Sequence, residues 1–294
     1  MPPDAYIERH NEIAEAMRAV DPDIQLILIA VGGVEFEGLP GEENWAQSML
    51  AHSADYMDLI SEHIYGGSSP NLVEHAQSIA WGIREFIDAH RRYRRQLDAL
   101  QDKDIRLALD EWNYFWGDRY EIYGEAAPRY YFRDALGVAV GLHEMFRNSD
   151  LVFMANTHPV NVHGQVKTTR TEAATEATGL VWALYRHHFG TLPLTVAGDV
   201  TPLDVAAAWN AERTALTVAV VNPTAYTHTL TLRLQNARLS GAGRVWVIAN
   251  SDPMAYNEPG RQRRIVIEER QLPNISDALT IPPLSIALYE LPAN

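Results

Sequence analysis

Between residue 4 and about residue 188, segments with helical periodicity alternate with short apolar runs. The apolar runs begin near residues 24, 57, 104 and 150, and amphipathic segments separate them. An uninterrupted apolar run is typical of a strand that is buried on both faces, as in a parallel sheet. Strands that alternate with helices in this way predict βαβ units. Residues 1–190 are therefore predicted to form an α/β domain around a parallel sheet.

After about residue 190 the pattern changes to short runs with a period of two residues. Leu230, Leu232 and Leu234 alternate with polar residues, as in an antiparallel strand with one buried face. Similar runs occupy residues 213–223, 243–250 and 284–291. Residues 191–294 are therefore predicted to form a small antiparallel β-sandwich or barrel.

The charge balance restricts the partners that the chain can bind. Acidic residues outnumber basic ones by 38 to 24, which gives a net charge of −14. Nucleic acids and anionic membranes bind basic surfaces, so neither is expected as a partner, whereas an uncharged carbohydrate is compatible. The longest apolar run, residues 24–31, is far shorter than the ~20 residues that span a bilayer. The chain has no cysteine and no signal-peptide pattern at its start, so a cytoplasmic location is expected.

Polar and aromatic residues follow each of the predicted strands. In parallel α/β folds, ligands bind at the carboxyl ends of the strands. Carboxylates in such a place can act on a glycosidic bond, so these residues predict a carbohydrate site. The histidines show no metal-binding spacing such as His-Glu-x-x-His, and neither a metal nor a cofactor is expected. The strand ends read "GGVEFEG" (32–38), "SEHIY" (61–65), "DEWN" (110–113) and "NTH" (156–158).

Glu111 is the strongest candidate for a catalytic group. It follows the apolar residues Leu107 to Leu109, at the end of a predicted buried strand. A carboxylate in that position is held rigidly, as a nucleophile must be. An acid at a strand end also suits a structural ion pair. The position alone leaves both interpretations open.

The stretch "LALDEWNYFW", residues 107–116, resembles the nucleophile strand of glycoside hydrolase family 51, the α-L-arabinofuranosidases. The resemblance implies a retaining glycosidase that removes terminal α-L-arabinofuranosyl residues from plant oligosaccharides and polysaccharides, with Glu111 as its nucleophile. Further matching segments, in the family's order, are "AMRAVDPDIQLI" (16–27), "DLISEHIYGG" (58–67), "VNVHGQV" (160–166), "AVVNP" (219–223) and "IPPLSIALYEL" (281–291).

The resemblance also implies which residues contact the sugar. His63 and Tyr65 are candidates that alternatively form a structural pair at the end of their strand. Where the family usually has a glutamine close to the substrate, this chain has His158. The full set of substrate-binding candidates is His63, Tyr65, Trp112, Asn113, Trp116 and His158.

The fold implied by the resemblance is the C-terminal half of a (β/α)8 TIM barrel, strands five to eight, followed by the β-sandwich. A retaining glycosidase needs a second carboxyl group about 5–5.5 Å from the nucleophile. In the family this acid/base lies at the end of strand four, so the chain is expected to begin after it and to lack it. Glu35 and Glu37, on a loop at the same end of the sheet, are the remaining candidates.

Other functions stay open on the sequence. An endo-β-glucanase or a β-xylosidase of the same family is the enzymatic alternative. A non-catalytic carbohydrate-binding protein or an inactive fragment is the alternative of another class. Open strand edges near residues 24–31 and 151–155 would pair with another chain, so a homo-oligomer or self-association is expected.

Overall fold

Helices and strands alternate through the first two thirds of the computed structural model, which describes residues 3–29, 45–114, 119–120, 127–160 and 164–294. This alternation is the α/β pattern that the sequence predicts. The helices are α1 (Pro3–Val20), α2 (Trp45–His52), α3 (Leu72–Gln96), α4 (Phe132–Arg147) and α5 (Ala177–His188). The strands are β1 (Ile27–Ile29), β2 (Leu59–Gly66), β3 (Arg106–Tyr114), β4 (Arg119–Tyr120), β5 (Ala127–Pro128), β6 (Val152–Ala155), β7 (Val166–Thr168) and β8 (Ala173–Thr175).

Four of these strands form one sheet in the order β1-β2-β3-β6. Strands β1 and β2 run parallel, with Ile27 opposite Leu59. Strands β3 and β6 also run parallel, with Leu109 opposite Ala155. The order follows the chain, and helices connect successive strands, as expected for βαβ units. The predicted parallel sheet is therefore present.

Strand β1 is less buried than its uninterrupted apolar sequence predicts. Leu28 is buried, but Ile27 is 39% exposed and Ile29 is 57% exposed. The physical reason is that β1 lies at the edge of the sheet among the described strands. An apolar run therefore identified the strand correctly but did not reveal that, among the described residues, Ile27 and Ile29 are exposed.

The last helix of the α/β part begins later than the sequence predicts. Its periodicity indicated a helix over residues 171–188, whereas α5 begins at Ala177. Residues before it form the antiparallel hairpin β7–β8. The turn is closed by the Thr169 amide, which donates to the Glu172 carbonyl at 2.8 Å, and by the Glu172 amide, which donates to Thr169 Oγ1 at 3.1 Å. Side-chain hydrogen bonds of this kind compete with helix formation.

After residue 190 the chain forms antiparallel sheets. A sheet of six strands has the order β14-β13-β16-β11-β10-β9, and β12 pairs with β15 in a separate sheet of two strands. Leu279 and Ile281 from the smaller sheet belong to one apolar core with Val205, Val218 and Val245 of the larger sheet. The strands are β9 (Leu192–Leu194), β10 (Asp204–Trp209), β11 (Ala215–Asn222), β12 (His228–Thr231), β13 (Gly243–Ala249), β14 (Glu268–Leu272), β15 (Ala278–Ile281) and β16 (Ser285–Pro292).

The chain divides into two compact units whose segments interleave along the sequence. The first unit comprises Met1–Ile64, Trp81–Trp112 and Asn148–Thr157, and the second comprises Tyr65–Ala80, Asn113–Arg147 and His158–Asn294. Both units thus draw on the predicted α/β part, and a domain boundary at residue 190 stays a prediction. No helix in the described ranges combines the length and the apolar character needed to cross a membrane.

In the first unit, helix α3 lies very close to strand β2. A Cβ atom on Gly82 would lie 1.8 Å from Ile64 Cδ1, so no larger residue fits without a shift. Further along α3, His90 Nε2–H donates to the Ile105 carbonyl at 2.8 Å, which ties the helix to the residue before β3. The helix thereby helps to fix the two strands that carry His63 and Glu111.

Candidate active site

Strands β2 and β3 bring three ionisable side chains of the first unit together. His63 Nε2 lies 3.2 Å from Asp110 Oδ1, and His63 Nδ1 lies 3.5 Å from Glu111 Oε2. The two strands are neighbours in the parallel sheet, so residues at their carboxyl ends meet at one edge. The imidazole of His63 therefore lies between two consecutive carboxylates.

The three side chains are accessible to solvent to different degrees. The side chain of His63 is 47% exposed, whereas those of Asp110 and Glu111 are 29% and 30% exposed. Behind Asp110, the buried Ser61 hydroxyl donates to Asp110 Oδ1 at 2.7 Å. Asp110 thus accepts a hydrogen bond from the strand side, and both carboxylates are reachable from solvent to about the same degree. An accessible carboxylate on a rigid strand end is the arrangement that a glycosidase nucleophile requires.

The other predicted sugar-binding residues are distributed between the two units. Trp112, in the first unit, is buried. In the second unit Asn113 is also buried, and its Oδ1 accepts the Tyr114 amide at 2.9 Å. Tyr65 is half-buried and His158 is exposed. Their roles in sugar binding stay predictions.

Three candidate residues lie outside the described ranges. Trp116 was predicted to line the sugar pocket, and Glu35 and Glu37 were the candidates for the acid/base. Among the described residues, no group of three or more histidine, aspartate or glutamate side chains could hold a metal ion.

The sequence did not single out Ser61 or Asp110 of this cluster as site residues. Ser61 lies two positions before His63, on the same face of β2, because side chains alternate along a strand. The relevant signal was the pair of consecutive acids after a buried strand. In the structure the first of these acids, Asp110, accepts a hydrogen bond from the Ser61 hydroxyl.

The second unit contains a buried ionisable pair, Lys167 and Glu176. Both residues are at most 1% exposed, and Glu176 Oε2 accepts the Tyr130 amide at 3.0 Å. Burial raises the pKa of Glu176 to about 8, against the opposing effect of the Lys167 charge. Burial likewise lowers the pKa of Lys167 to about 8. Neither residue had a signal in the sequence, because lysine and glutamate side chains are usually exposed.

A second buried network in the same unit joins α4, α5 and β10. His143 Nδ1 lies 2.6 Å from Asp204 Oδ1, and its Nε2 lies 2.6 Å from the Tyr185 hydroxyl. Arg147 Nη2 donates to the same Asp204 oxygen at 2.5 Å. Burial lowers the pKa of His143, although the hydrogen bond to Asp204 acts in the opposite direction. His143 and Asp204 are buried while Arg147 reaches the surface, and the network links α4 and α5 to β10.

A family model described as the α-L-arabinofuranosidase C-terminal domain matches residues 110–285, a segment that begins at the Asp110–Glu111 pair. The chain is 26% identical over 247 residues to an intracellular exo-α-(1→5)-L-arabinofuranosidase of Acetivibrio thermocellus. That alignment covers 74% of this chain and 48% of the relative. The chain thus spans about half the length of this curated relative.

Two solved structures have the same fold. The α-L-arabinofuranosidase of Thermotoga maritima, in its arabinose complex, superposes with a TM-score of 0.82 at 19% identity. The family 51 α-L-arabinofuranosidase of Thermotoga petrophila superposes with a TM-score of 0.81 at 20% identity. Each superposition covers 99% of this chain and 62% of the solved chain. The resemblance predicted from the Asp-Glu-Trp-Asn stretch is confirmed.

Proposed function

Because this chain belongs to the α-L-arabinofuranosidase C-terminal domain family, we propose that it is a glycosidase. It removes terminal α-L-arabinofuranosyl residues from arabinose-containing plant oligosaccharides and polysaccharides. The observation that carries the proposal is the solvent-accessible Glu111 carboxylate near the carboxyl end of β3, with His63 Nδ1 at 3.5 Å. The relative from Acetivibrio thermocellus bears the name of an enzyme with this activity.

In the proposed mechanism Glu111 is the nucleophile of a retaining reaction. Its carboxylate attacks the anomeric carbon, and the bond from that carbon to the leaving oxygen breaks. A second carboxyl group protonates the leaving oxygen and later removes a proton from the water that hydrolyses the glycosyl ester. Glu35 and Glu37 stay the sequence-based candidates for this group. The product keeps its anomeric configuration, because two inversions occur in succession.

The proposed architecture places β1, β2, β3 and β6 as strands five to eight of a (β/α)8 barrel. The sequential strand order and the connecting helices support it. The two antiparallel sheets with their common core are proposed to be a β-sandwich. The superposition on the Thermotoga maritima enzyme supports both assignments.

The proposed substrate contacts are those that the family resemblance implies. They are His63, Tyr65, Trp112, Asn113, Trp116 and His158. We also propose an intracellular location, since the curated relative is named an intracellular enzyme. Nucleic acids and membranes are not substrates in this proposal, and the reaction needs no metal or cofactor.

The function is tested by turnover of 4-nitrophenyl α-L-arabinofuranoside in comparison with the β-D-xylopyranoside and a soluble β-glucan. The proposal predicts that the arabinofuranoside is cleaved fastest. It also predicts that Glu111→Gln lowers the rate on the order of 10³-fold or more, since the amide is no nucleophile. Glu85→Gln, on an exposed position of α3, is the matched control and keeps the wild-type rate.

Each contrary result points to a different function. Faster cleavage of the xyloside would indicate a β-xylosidase, and faster cleavage of the β-glucan would indicate an endo-β-glucanase. Binding of an arabino-oligosaccharide without any cleavage would favour a carbohydrate-binding protein. Unchanged turnover in Glu111→Gln would exclude Glu111 as the nucleophile.

A further inference from the structure

The first turn of α3 contains a buried histidine whose two ring nitrogens both make hydrogen bonds within the second unit. His75 is only 1% exposed. Its Nδ1 accepts the Ser69 amide at 3.4 Å, and its Nε2 is hydrogen-bonded to Asp134 Oδ1 at 2.8 Å. The other oxygen of Asp134 accepts the Tyr131 amide at 2.7 Å. His75 therefore joins the β2–α3 loop, residues 67–71, to the first turn of α4.

The partners of the His75 ring define its protonation state. A backbone amide only donates, so Nδ1 must carry no proton in order to accept from Ser69. An ionised carboxylate only accepts, so Nε2 carries the proton that is shared with Asp134. The neutral Nε2–H tautomer satisfies both contacts at once. Any other orientation of the ring would lose both hydrogen bonds.

The same imidazole supports the ends of strands β2 and β3. The ring of Tyr114, the last residue of β3, stacks on it with the centroids 4.5 Å apart and the planes 11° from parallel. The Tyr114 hydroxyl donates to the His75 carbonyl at 2.5 Å. A Cβ on Gly66 would lie 2.6 Å from Tyr114 Cε1, so the ring lies directly against that backbone. Gly66 follows Tyr65, and the stacked rings thus support the backbone beside Tyr65.

Two further contacts hold the β2–α3 loop, and both are exposed. Ser69 Oγ donates to Glu74 at 2.9 Å, and Arg133 Nη2 donates to Ser68 Oγ at 3.2 Å. Water competes with these exposed contacts, whereas the acceptor in His75 is shielded from it. The bond from the Ser69 amide to His75 is therefore expected to hold the loop most strongly.

We propose that His75, oriented by Asp134, is a positioning residue that holds the β2–α3 loop and the backbone beside Tyr65 in the arrangement that binds the sugar. The loop follows the carboxyl end of β2, where parallel α/β folds bind their ligands. The inference rests on the proposed function, in which Tyr65 contacts the arabinofuranosyl group. Because His75 is buried, it acts through the Ser69 amide and the Tyr114 ring and not on the sugar itself.

Hydrogen exchange of the Ser69 amide, followed by NMR, tests the contact without any sugar. His75→Asn places an amide oxygen near the position of Nδ1, so this variant can still accept from Ser69 although it loses the contact with Asp134. His75→Gln keeps a donor toward Asp134 but has no acceptor near Ser69. We expect the Ser69 amide to exchange roughly 3- to 10-fold faster in His75→Gln than in His75→Asn, the usual net effect of one hydrogen bond.

The second test follows the formation of the glycosyl adduct at Glu111 by mass spectrometry, over a concentration series of 4-nitrophenyl α-L-arabinofuranoside. His75→Gln is expected to raise the half-saturating concentration roughly 3- to 10-fold and to change the maximal rate less than about twofold, because only binding is weakened. His75→Asn should stay close to the wild type. In a Tyr65→Ala background His75→Gln should cause no further loss, since the two residues act together.

His143→Gln is the matched control, because it alters another buried histidine–aspartate pair of the same unit. It should lower the free energy of unfolding without changing the half-saturating concentration. Binding of L-arabinose, measured by calorimetry, repeats the comparison without any reaction, and the same roughly 3- to 10-fold loss is expected for His75→Gln.

The outcomes separate the positioning role from the proposed function. Equal Ser69 exchange rates in His75→Gln and His75→Asn would overturn the positioning role. Half-saturating concentrations that rise equally in both variants and in His143→Gln would overturn it in favour of a general structural role. A further loss in the Tyr65→Ala background would show that His75 does not act through Tyr65. A wild type that binds L-arabinose with the expected loss in His75→Gln, but forms no adduct, would instead overturn the proposed function of Glu111.

Discussion

Single buried side chains in the second unit link stability to pH. Burial on its own would raise the pKa of Asp204, but the hydrogen bond and charge of His143, together with Arg147, outweigh it and lower the pKa to about 2. The ordinary value is 3.8, so the unfolded chain binds the proton more tightly than the folded chain does. The ionised Asp204 therefore stabilises the fold at pH values above its ordinary pKa of 3.8. This stabilisation is lost as the pH falls toward about 2.

The Asp204→Asn variant tests this linkage. The amide keeps the shape of the side chain but removes the charge that Arg147 and His143 face. We expect the free energy of unfolding at pH 7 to fall by about 2 kcal/mol. In urea titrations, the difference from the wild type should narrow as the pH is lowered from about 4 toward about 2.

Asp150→Asn, at an exposed position, is the control and should change stability little at any pH. The assigned pKa of Asp204 would be contradicted if Asp204→Asn and the wild type differed in free energy of unfolding by the same amount at every acidic pH. The loss would then come from altered packing.

At the scale of helices and strands, the close approach of α3 to β2 sets the geometry beside the site. Gly82 lies within α3, and Ile64 directly follows His63 on β2. An alanine normally favours a helix over a glycine by up to about 1 kcal/mol. Here the added Cβ would lie 1.8 Å from Ile64 Cδ1. The steric conflict is therefore expected to outweigh the gain in helix propensity, so that an alanine at position 82 lowers stability.

Gly82→Ala is expected to destabilise the chain by about 1–3 kcal/mol, the usual cost of overpacking. Ile64→Val removes the conflicting Cδ1 atom, so the double variant should regain most of that loss in thermal unfolding. Gly67→Ala is the control, because no atom lies within 4 Å of its added Cβ. Additive losses in the double variant would show that Ile64 is not the obstacle.

Element types were predictable where the apolar period was regular. The apolar run that begins near residue 104 forms strand β3, Arg106–Tyr114, and the amphipathic segment before it forms α3, Leu72–Gln96. The β7–β8 hairpin was not predictable, because its hydrogen-bonded turn is local while the alanines around it favour a helix. Of the site, the sequence identified Glu111 and His63 as candidates. The contact of Asp110 with Ser61 depends on strand register, which periodicity does not specify.

At the scale of the whole molecule, the first unit presents apolar side chains to solvent. Val20 is 87% exposed, Met17 is 41% exposed and Ile29 is 57% exposed. Ile29 ends the edge strand β1, whose backbone is open to another strand among the described elements. Exposed apolar groups on an edge strand favour pairing between chains. We therefore expect the chain to associate with a second copy through β1.

Sedimentation velocity over a concentration series tests this expectation. The wild type should sediment faster as its concentration rises. Ile29→Lys should weaken association at least about tenfold, because burying one isoleucine contributes about 1.5–3 kcal/mol. Tyr226→Lys, at a residue that is 75% exposed in the second unit, is the control and should leave association unchanged. A wild type that stays monomeric at every concentration would contradict the expectation.

The most direct test of the whole account is the intact mass of the chain after incubation with an activated aryl α-L-arabinofuranoside. Such a leaving group departs without protonation, so Glu111 alone suffices for the first step. The account predicts a mass increase of one pentosyl residue, located on the peptide that contains Glu111 and absent from Glu111→Ala. An unmodified wild-type chain that is folded by circular dichroism, or an adduct that persists in Glu111→Ala, would contradict it.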